Sequence, residues 1–285
     1  MVLVRTAAVA GGFALVVAAL LAVALVVCVG VGRLRQAGGN RGVLRERLRA
    51  VAPYAAVLAA VFGGRKVFRE WFWALSDVIG YEATGLFYAI EGDLAAGVQA
   101  AIPDVAALYF AFVYMFGYAV VVFGPLALYL FAESLRHLKT VLVAYTINYA
   151  VAVVAYTLVI ARGPRIASES TQGVIQEFFP YFTLLTGQVN SPTNVFPSLH
   201  TSLSVTVLVV AVLTRREFPR WLAITAVLTG SIVVATVYLG IHWLVDIAAG
   251  ICLAVASVWL ARRFVARVGT QSRDDRAGVT EHAQD

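Results

Sequence analysis

Long apolar runs, separated by short polar segments rich in arginine, dominate this chain. An apolar run without period-2 alternation predicts a helix that is apolar on all sides, and about 20 such residues cross a bilayer. The pattern therefore predicts transmembrane helices. They cover residues 7–31, 50–64, 105–131, 140–161, 196–213, 221–241 and 243–261. The second run is short for a span and requires Arg49 and Arg65 to extend to the two membrane surfaces.

Two segments break this pattern. Residues 65–104 mix aromatic and acidic side chains, which predicts amphipathic helices in the membrane interface. Residues 268–285 are polar and predict a disordered tail on the cytoplasmic side.

Composition agrees with the run pattern. Hydrophobic residues make up 61% of the chain and charged residues only 13%, about half of the charged fraction of an ordinary soluble protein. This excludes a soluble domain and predicts an all-α, polytopic membrane protein embedded in a lipid bilayer. The formal net charge of +6 comes from arginine clusters between apolar runs, which is typical of cytoplasmic loops, so we expect no nucleic-acid partner.

The arginine clusters also predict the orientation. Placing them on the cytoplasmic side gives seven spans with the N-terminus outside, in a plasma membrane. His200 and His242 then face the non-cytoplasmic side, and they keep that side if the first segment does not span. Arg65, Lys66 and Arg69 lie outside against the rule. The clusters lie at 33–49, 136–139, 215–220 and 262–267.

Two histidines at the starts of apolar runs suggest chemistry at this face. His242 in "HWLVD" precedes Asp246 by four residues, so the carboxylate can orient one ring nitrogen and leave the other as a nucleophile. His200 in "FPSLH" can protonate a leaving oxygen. Both helix starts present free N–H groups, which bind anions such as phosphate. Arg162 and Arg165 in "ARGPR" can neutralise phosphoryl oxygens.

Each residue has a simpler interpretation when taken alone. Ser198 is a good helix N-cap, Asp246 fits the first turn of a helix, and arginines anchor spans at headgroups. The joint occurrence of these groups at one membrane face favours an active site.

These segments resemble the motifs of the type 2 phosphatidic acid phosphatase superfamily. "ARGPR" is similar to its first motif, "FPSLH" to the second and "HWLVD" to the third, across residues 140–261. The resemblance implies a six-helix bundle, here with an extra N-terminal span. It also implies that His242 forms a phosphohistidine, Asp246 orients it and His200 is the general acid. Ser198 and the two arginines would hold phosphate, without a metal or other cofactor.

Two positions depart from that pattern. Leu199, in the substrate-binding motif, replaces a glycine, and Thr236 replaces an arginine. With the long loop at 162–194, these departures resemble the inositol phosphorylceramide synthase branch, whose members move a phospho-headgroup between lipids. The resemblance divides the chain into an N-terminal span with a basic loop, a short span with interfacial helices, a catalytic bundle and a tail. The bounds are 1–49, 50–104, 105–267 and 268–285.

The expected substrate is a membrane lipid phosphate or phospholipid. A water acceptor would make the protein a phosphatase, and a lipid or polyol hydroxyl would make it a transferase. Glu82, Glu91 and Asp93 could recognise polyol hydroxyls or form a solvated helix face. A lipid transporter or scramblase and a catalytically inactive relative remain alternatives, and histidines that point away from each other would favour them. The ionisable residues cluster at one surface, unlike the midplane sites of transporters.

Overall fold

The structure, a computed structural model, describes residues 2–179 and 193–281. It begins with three helices, α1 (Val2–Val29), α2 (Val31–Gly39) and α3 (Arg41–Val67). Asn40 caps α3 by accepting a hydrogen bond from the N–H group of Val43 at 3.3 Å. The helix of the second predicted span is longer than its apolar run, residues 50–64, because it begins within the arginine cluster at Arg41.

Short elements follow where the sequence predicts interfacial helices. They are α4 (Arg69–Ile79), the two-residue strand β1 (Tyr81–Glu82), α5 (Thr84–Glu91) and α6 (Leu94–Ala101). Strand β1 pairs in parallel with β2 (Val159–Ile160), which follows a later span. This pairing attaches the segment 69–101 to the end of the bundle that carries the two histidine motifs.

The third span contains a π turn. Helix α7 (Ala107–Phe112) passes through five π-helical residues, Val113–Gly117, into α8 (Tyr118–Leu128). A π turn inserts one extra residue per turn and re-aims the side chains around it, often at a functional site.

The remaining helices complete the bundle. They are α9 (Arg136–Leu158), the short helices α10 (Pro164–Ala167) and α11 (Ile175–Phe178), and then α12 (Leu199–Leu213), α13 (Pro219–Tyr238) and α14 (Leu244–Glu281). Helix α12 is central, since it packs against α8, α9, α13 and α14. Residues 180–192 of the predicted loop lie outside the described residues.

The all-α polytopic fold is confirmed. Six helices of the described chain are long and apolar enough to cross a membrane. They are Ala7–Val29, Arg41–Val67, Asp104–Phe131, Arg136–Leu158, Pro219–Tyr238 and Leu244–Thr270. The remaining predicted span, residues 196–213, corresponds to α12, a shorter apolar helix whose 15 residues extend about 22 Å.

The last helix differs from the prediction. It continues to Glu281, so most of the segment 268–285 is helical where the sequence predicts a disordered tail. The polar residues there prolong an existing helix, which adds one hydrogen bond per residue and requires no new nucleation.

Candidate active site

The turn that carries His242 is closed by the end of α13. The backbone carbonyl of Thr236 accepts hydrogen bonds from the N–H groups of Ile241 and His242, at 3.0 and 3.1 Å. Gly240 has φ +63°, a left-handed conformation that favours glycine. A Cβ atom at Gly240 would also lie only 2.6 Å from the Thr171 side chain. Sequence and packing thus fix the position of His242, which is 3% exposed.

The predicted contact between His242 and Asp246 is present. Nδ1 of His242 lies 3.3 Å from Oδ2 of Asp246, which also accepts a hydrogen bond from the Trp243 N–H group at 2.9 Å. Burial lowers the pKa of His242 to about 3, a hydrogen bond with the Val195 backbone raises it, and the charge of Arg165 lowers it. The imidazole is therefore neutral at physiological pH, and neutral imidazole is the nucleophilic form.

His200 lies in the first turn of α12 and faces the same site. Its ring centroid is 5.9 Å from that of His242. The rings of Tyr114 and Tyr118 pack against His200 with centroid distances of 4.4 and 4.3 Å. Tyr114 belongs to the π turn and Tyr118 begins α8, so the turn brings both tyrosines to one histidine. The sequence contains no signal for this packing, because a π turn has no residue signature.

Ser198 links the second motif to the third. It is fully buried, its Oγ accepts a hydrogen bond from the N–H group of Thr201 at 3.3 Å, and its own N–H group donates to the Asp246 carbonyl at 3.1 Å. A Cβ atom at Gly250 would lie 2.7 Å from the Ser198 carbonyl oxygen. The glycine therefore lets the backbone at Ser198 approach α14 closely, which places Ser198 beside Asp246. The N-cap interpretation of Ser198 is confirmed, and its role in binding substrate stays a prediction.

The two helix starts differ in their capacity to bind an anion. In α12, the N–H groups of Leu199 and His200 lie in the first turn, where no helical carbonyl can reach them. In α14, Glu91 accepts hydrogen bonds from the N–H groups of Leu244 and Val245 at 2.7 and 2.8 Å. The prediction that both helix starts bind phosphate is therefore wrong for α14, because the Glu91 carboxylate already accepts the hydrogen bonds of its first N–H groups.

The first basic motif packs directly on the His242 turn. Arg165 donates its backbone N–H to the Gly240 carbonyl at 2.9 Å, and its charge acts on both Tyr114 and His242. The side chain of Arg162 is exposed. Its carbonyl accepts a hydrogen bond from the indole N–H of Trp243 at 2.8 Å. Thus Arg165 lies at the site, whereas the contact of Arg162 with the third motif is made by its backbone.

Comparison with known proteins identifies the family. The profile of the PAP2 superfamily matches residues 85–260, which include all three motifs. The chain belongs to the PAP2 superfamily. Members of this superfamily are phosphatases and phosphotransferases, so this chain is a membrane protein of a phosphoryl-transfer enzyme family.

A relative from Methanocaldococcus jannaschii, described as an uncharacterized protein, is 27% identical over 152 residues. The match covers 53% of this chain and 59% of that relative, so the chain spans less than two thirds of its length. No solved structure matches the chain.

Thr236 stands where the family pattern has an arginine, and the structure shows its local role. The residue is fully buried and its hydroxyl bonds the Val233 carbonyl at 2.7 Å. A long charged side chain would therefore enter a packed turn here. A positive charge that acts on His242 comes instead from Arg165, on another segment.

Three acidic residues of the segment 69–101 have partners within the protein. Asp93 accepts hydrogen bonds from the hydroxyls of Ser168 at 2.6 Å and Tyr88 at 3.4 Å, and Glu82 accepts one from the Thr84 N–H group at 3.2 Å. With Glu91 bound to α14, these carboxylates serve the fold of this segment. In the part of the chain that the structure describes, no three His, Cys, Asp or Glu side chains form a group that could hold a metal.

Replacing Glu91 with alanine is expected to destabilise the site. The change leaves the first N–H groups of α14 without their carboxylate acceptor, which costs about 1–3 kcal/mol of unfolding free energy. Thermal unfolding of the purified protein in detergent measures this effect. Asp77→Ala is the matched control, because it removes the same charge from an exposed residue of the same segment and leaves α14 capped. Equal melting temperatures for the two variants would contradict a specific role of Glu91.

Proposed function

We propose that this protein is an integral membrane enzyme that moves the phosphoryl group of a lipid phosphate, or the phospho-headgroup of a phospholipid, through a phosphohistidine. The observation that carries the proposal is the pairing of His242 with Asp246 at 3.3 Å, with the His200 ring 5.9 Å from the His242 ring. Two histidine rings this close, one in the turn before α14 and one in the first turn of α12, match a nucleophile and a separate proton donor.

In the first half reaction, the His242 nitrogen opposite Asp246 attacks the phosphorus atom. A P–N bond forms and the P–O bond to the lipid or headgroup oxygen breaks. His200 donates a proton to that oxygen, so the leaving group departs as an alcohol. Asp246 stabilises the positive charge that develops on the His242 ring, because its carboxylate is already bound to Nδ1.

In the second half reaction, a hydroxyl attacks the phosphohistidine. His200 takes the proton of the incoming hydroxyl, the P–N bond breaks and His242 is regenerated. Water yields inorganic phosphate or a phosphorylated headgroup, whereas an alcohol yields a new phosphodiester or phosphomonoester.

Binding of the phosphoryl oxygens is assigned to groups around the start of α12. The N–H groups of Leu199 and His200 and the hydroxyl of Ser198 donate hydrogen bonds. The family pattern has an arginine at position 236, and here Arg165 supplies that positive charge. The effect of the Arg165 charge on the pKa of His242 supports this role. Arg162, exposed beside the same turn, contacts the outer part of the headgroup.

The proposal of a lipid acceptor rests on the sequence pattern. "FPSLH" and "YLGIHWLVD" favour the transferase branch, with a phosphoinositol headgroup and a lipid hydroxyl as acceptor. Headgroup hydroxyls are not bound by Glu82, Glu91 and Asp93, since each carboxylate already accepts hydrogen bonds from the protein. The positive-inside arrangement supports an active site on the non-cytoplasmic face of the plasma membrane.

The test is turnover by the purified protein and its His242→Ala variant. Each is incubated with a labelled lipid phosphate or a labelled phosphoinositide, with and without a polyol or lipid acceptor, in the presence of a chelator. Inorganic phosphate that disappears in the variant indicates a phosphatase, and a labelled new lipid that disappears indicates a transferase. Equal signals from both proteins would contradict the histidine mechanism. Movement of the labelled lipid between leaflets without chemical change would support a scramblase.

A further inference from the structure

A cavity of about 370 Å³ lies at the end of the bundle opposite to His242. One wall is the end of the third span at Leu130–Glu133, about 25 Å along the helix from Tyr114 at the active site. The other wall is made by α2 and α3. This volume is within the usual range for small-ligand sites.

The wall made by α2 and α3 carries hydrogen-bond donors. Arg33 and Gln36 are three residues apart on one face of α2, Asn40 lies between α2 and α3, and all three line the cavity. Arg47 lines it from α3, and its Nη1 donates to the carbonyls of Leu130 at 2.9 Å and Ala132 at 2.6 Å. These bonds fix its guanidinium at the cavity, and among the described residues its other donors have no hydrogen-bond partner.

The cavity lies in a cluster of arginines that form no ion pair with an Asp or Glu of the described residues. The cluster consists of Arg33, Arg35, Arg41, Arg45, Arg47 and Arg49. A juxtamembrane cluster of four to eight basic residues is typical of sites that attract anionic lipids.

The cavity also has an apolar part, formed by Val43 and Leu44 of α3 with Leu130 and Phe131. An apolar wall offers a free anion no favourable contact, whereas the first acyl carbons of a lipid can pack against it. Glu133 also lines the cavity and can accept hydrogen bonds from hydroxyls of a headgroup.

We propose that this cavity binds the headgroup of an anionic glycerophospholipid of the surrounding membrane, at a site separate from the histidine site. The phosphate contacts Arg33 and Arg47, and the glycerol hydroxyls of a phosphatidylglycerol headgroup contact Gln36, Asn40 and Glu133. The site joins α2 and α3 to the end of the third span. It does not depend on the proposed enzymatic function.

Native mass spectrometry of the delipidated protein in detergent tests this proposal, with dioleoylphosphatidylglycerol and dioleoylphosphatidylcholine as probes. The wild-type protein is expected to retain the anionic lipid preferentially. Arg33→Gln is expected to weaken that binding about ten-fold or more, because it removes a charge-assisted hydrogen bond to the lipid phosphate. Arg35→Gln and Arg45→Gln are the matched controls, because each removes one charge of the same cluster outside the cavity lining.

Each result decides for or against the cavity. A loss in Arg33→Gln that clearly exceeds the loss in both controls supports it. Equal losses in all three variants would show diffuse attraction to the arginine cluster and overturn the proposal. Equal retention of the two lipids would also overturn it. Displacement of the lipid by an equal concentration of glycerol 3-phosphate would assign the cavity to a soluble anion.

Discussion

The His242→Ala variant is expected to lose phosphoryl transfer by about 10⁴-fold or more, since removal of a catalytic nucleophile commonly costs 10⁴- to 10⁶-fold. The substitution deletes the only atom proposed to form the P–N bond, while the turn around it stays closed by the backbone N–H groups that donate to the Thr236 carbonyl. Initial rates of phosphate release or lipid transfer measure the loss. Folding is checked by thermal unfolding, because His242 is buried and its removal leaves a cavity.

His137→Ala is the matched control for this experiment. His137 lies in the first turn of α9, at the end of the bundle away from the active site, with its ring 6.2 Å from that of Tyr129. Its variant is expected to keep near wild-type rates. Trapping of an acid-labile phosphoprotein with the wild-type and His137→Ala proteins, but not with His242→Ala, would identify the covalent intermediate. Labelled phosphoprotein in the His242→Ala variant would place the nucleophile elsewhere.

The bundle and the catalytic pair were predictable because their signals are local. Apolar runs set the spans, and a spacing of four residues brings His242, just before α14, next to Asp246 in the first turn of that helix. The helix bounds were less predictable, because an apolar run does not reveal where its helix starts. Helix α3 begins nine residues before the predicted second span, inside a polar segment of good helix formers.

The rest of the site depends on contacts that no local pattern encodes. Glu91 caps α14 across 153 residues of chain, so its acidic character alone could not distinguish a cap from a solvated face or a polyol ligand. Tyr114 and Tyr118 reach His200 through a π turn, which has no sequence signature. The wrong expectation for the start of α14 has the same cause, because whether a helix terminus is free depends on tertiary packing.

Asp246→Asn is the second substitution with a large expected effect, a loss of about 10³- to 10⁴-fold in kcat with little change in KM. The amide oxygen can still accept the Trp243 N–H bond, and the Ser198 N–H bond to the residue 246 carbonyl is unaffected, so the fold should persist. What is lost is the negative charge that holds the His242 Nδ1 proton and stabilises the ring as it becomes positive.

A kcat loss in Asp246→Asn, at an unchanged melting temperature, separates this electrostatic role from a structural one. Asp246→Ala serves as the comparison, because it removes the Trp243 hydrogen bond as well and should lower both kcat and the melting temperature. A wild-type kcat in Asp246→Asn would mean that the carboxylate acts only as the acceptor of the Trp243 N–H bond. The His242 ring would then be held by another group, such as the Val195 backbone that hydrogen-bonds it.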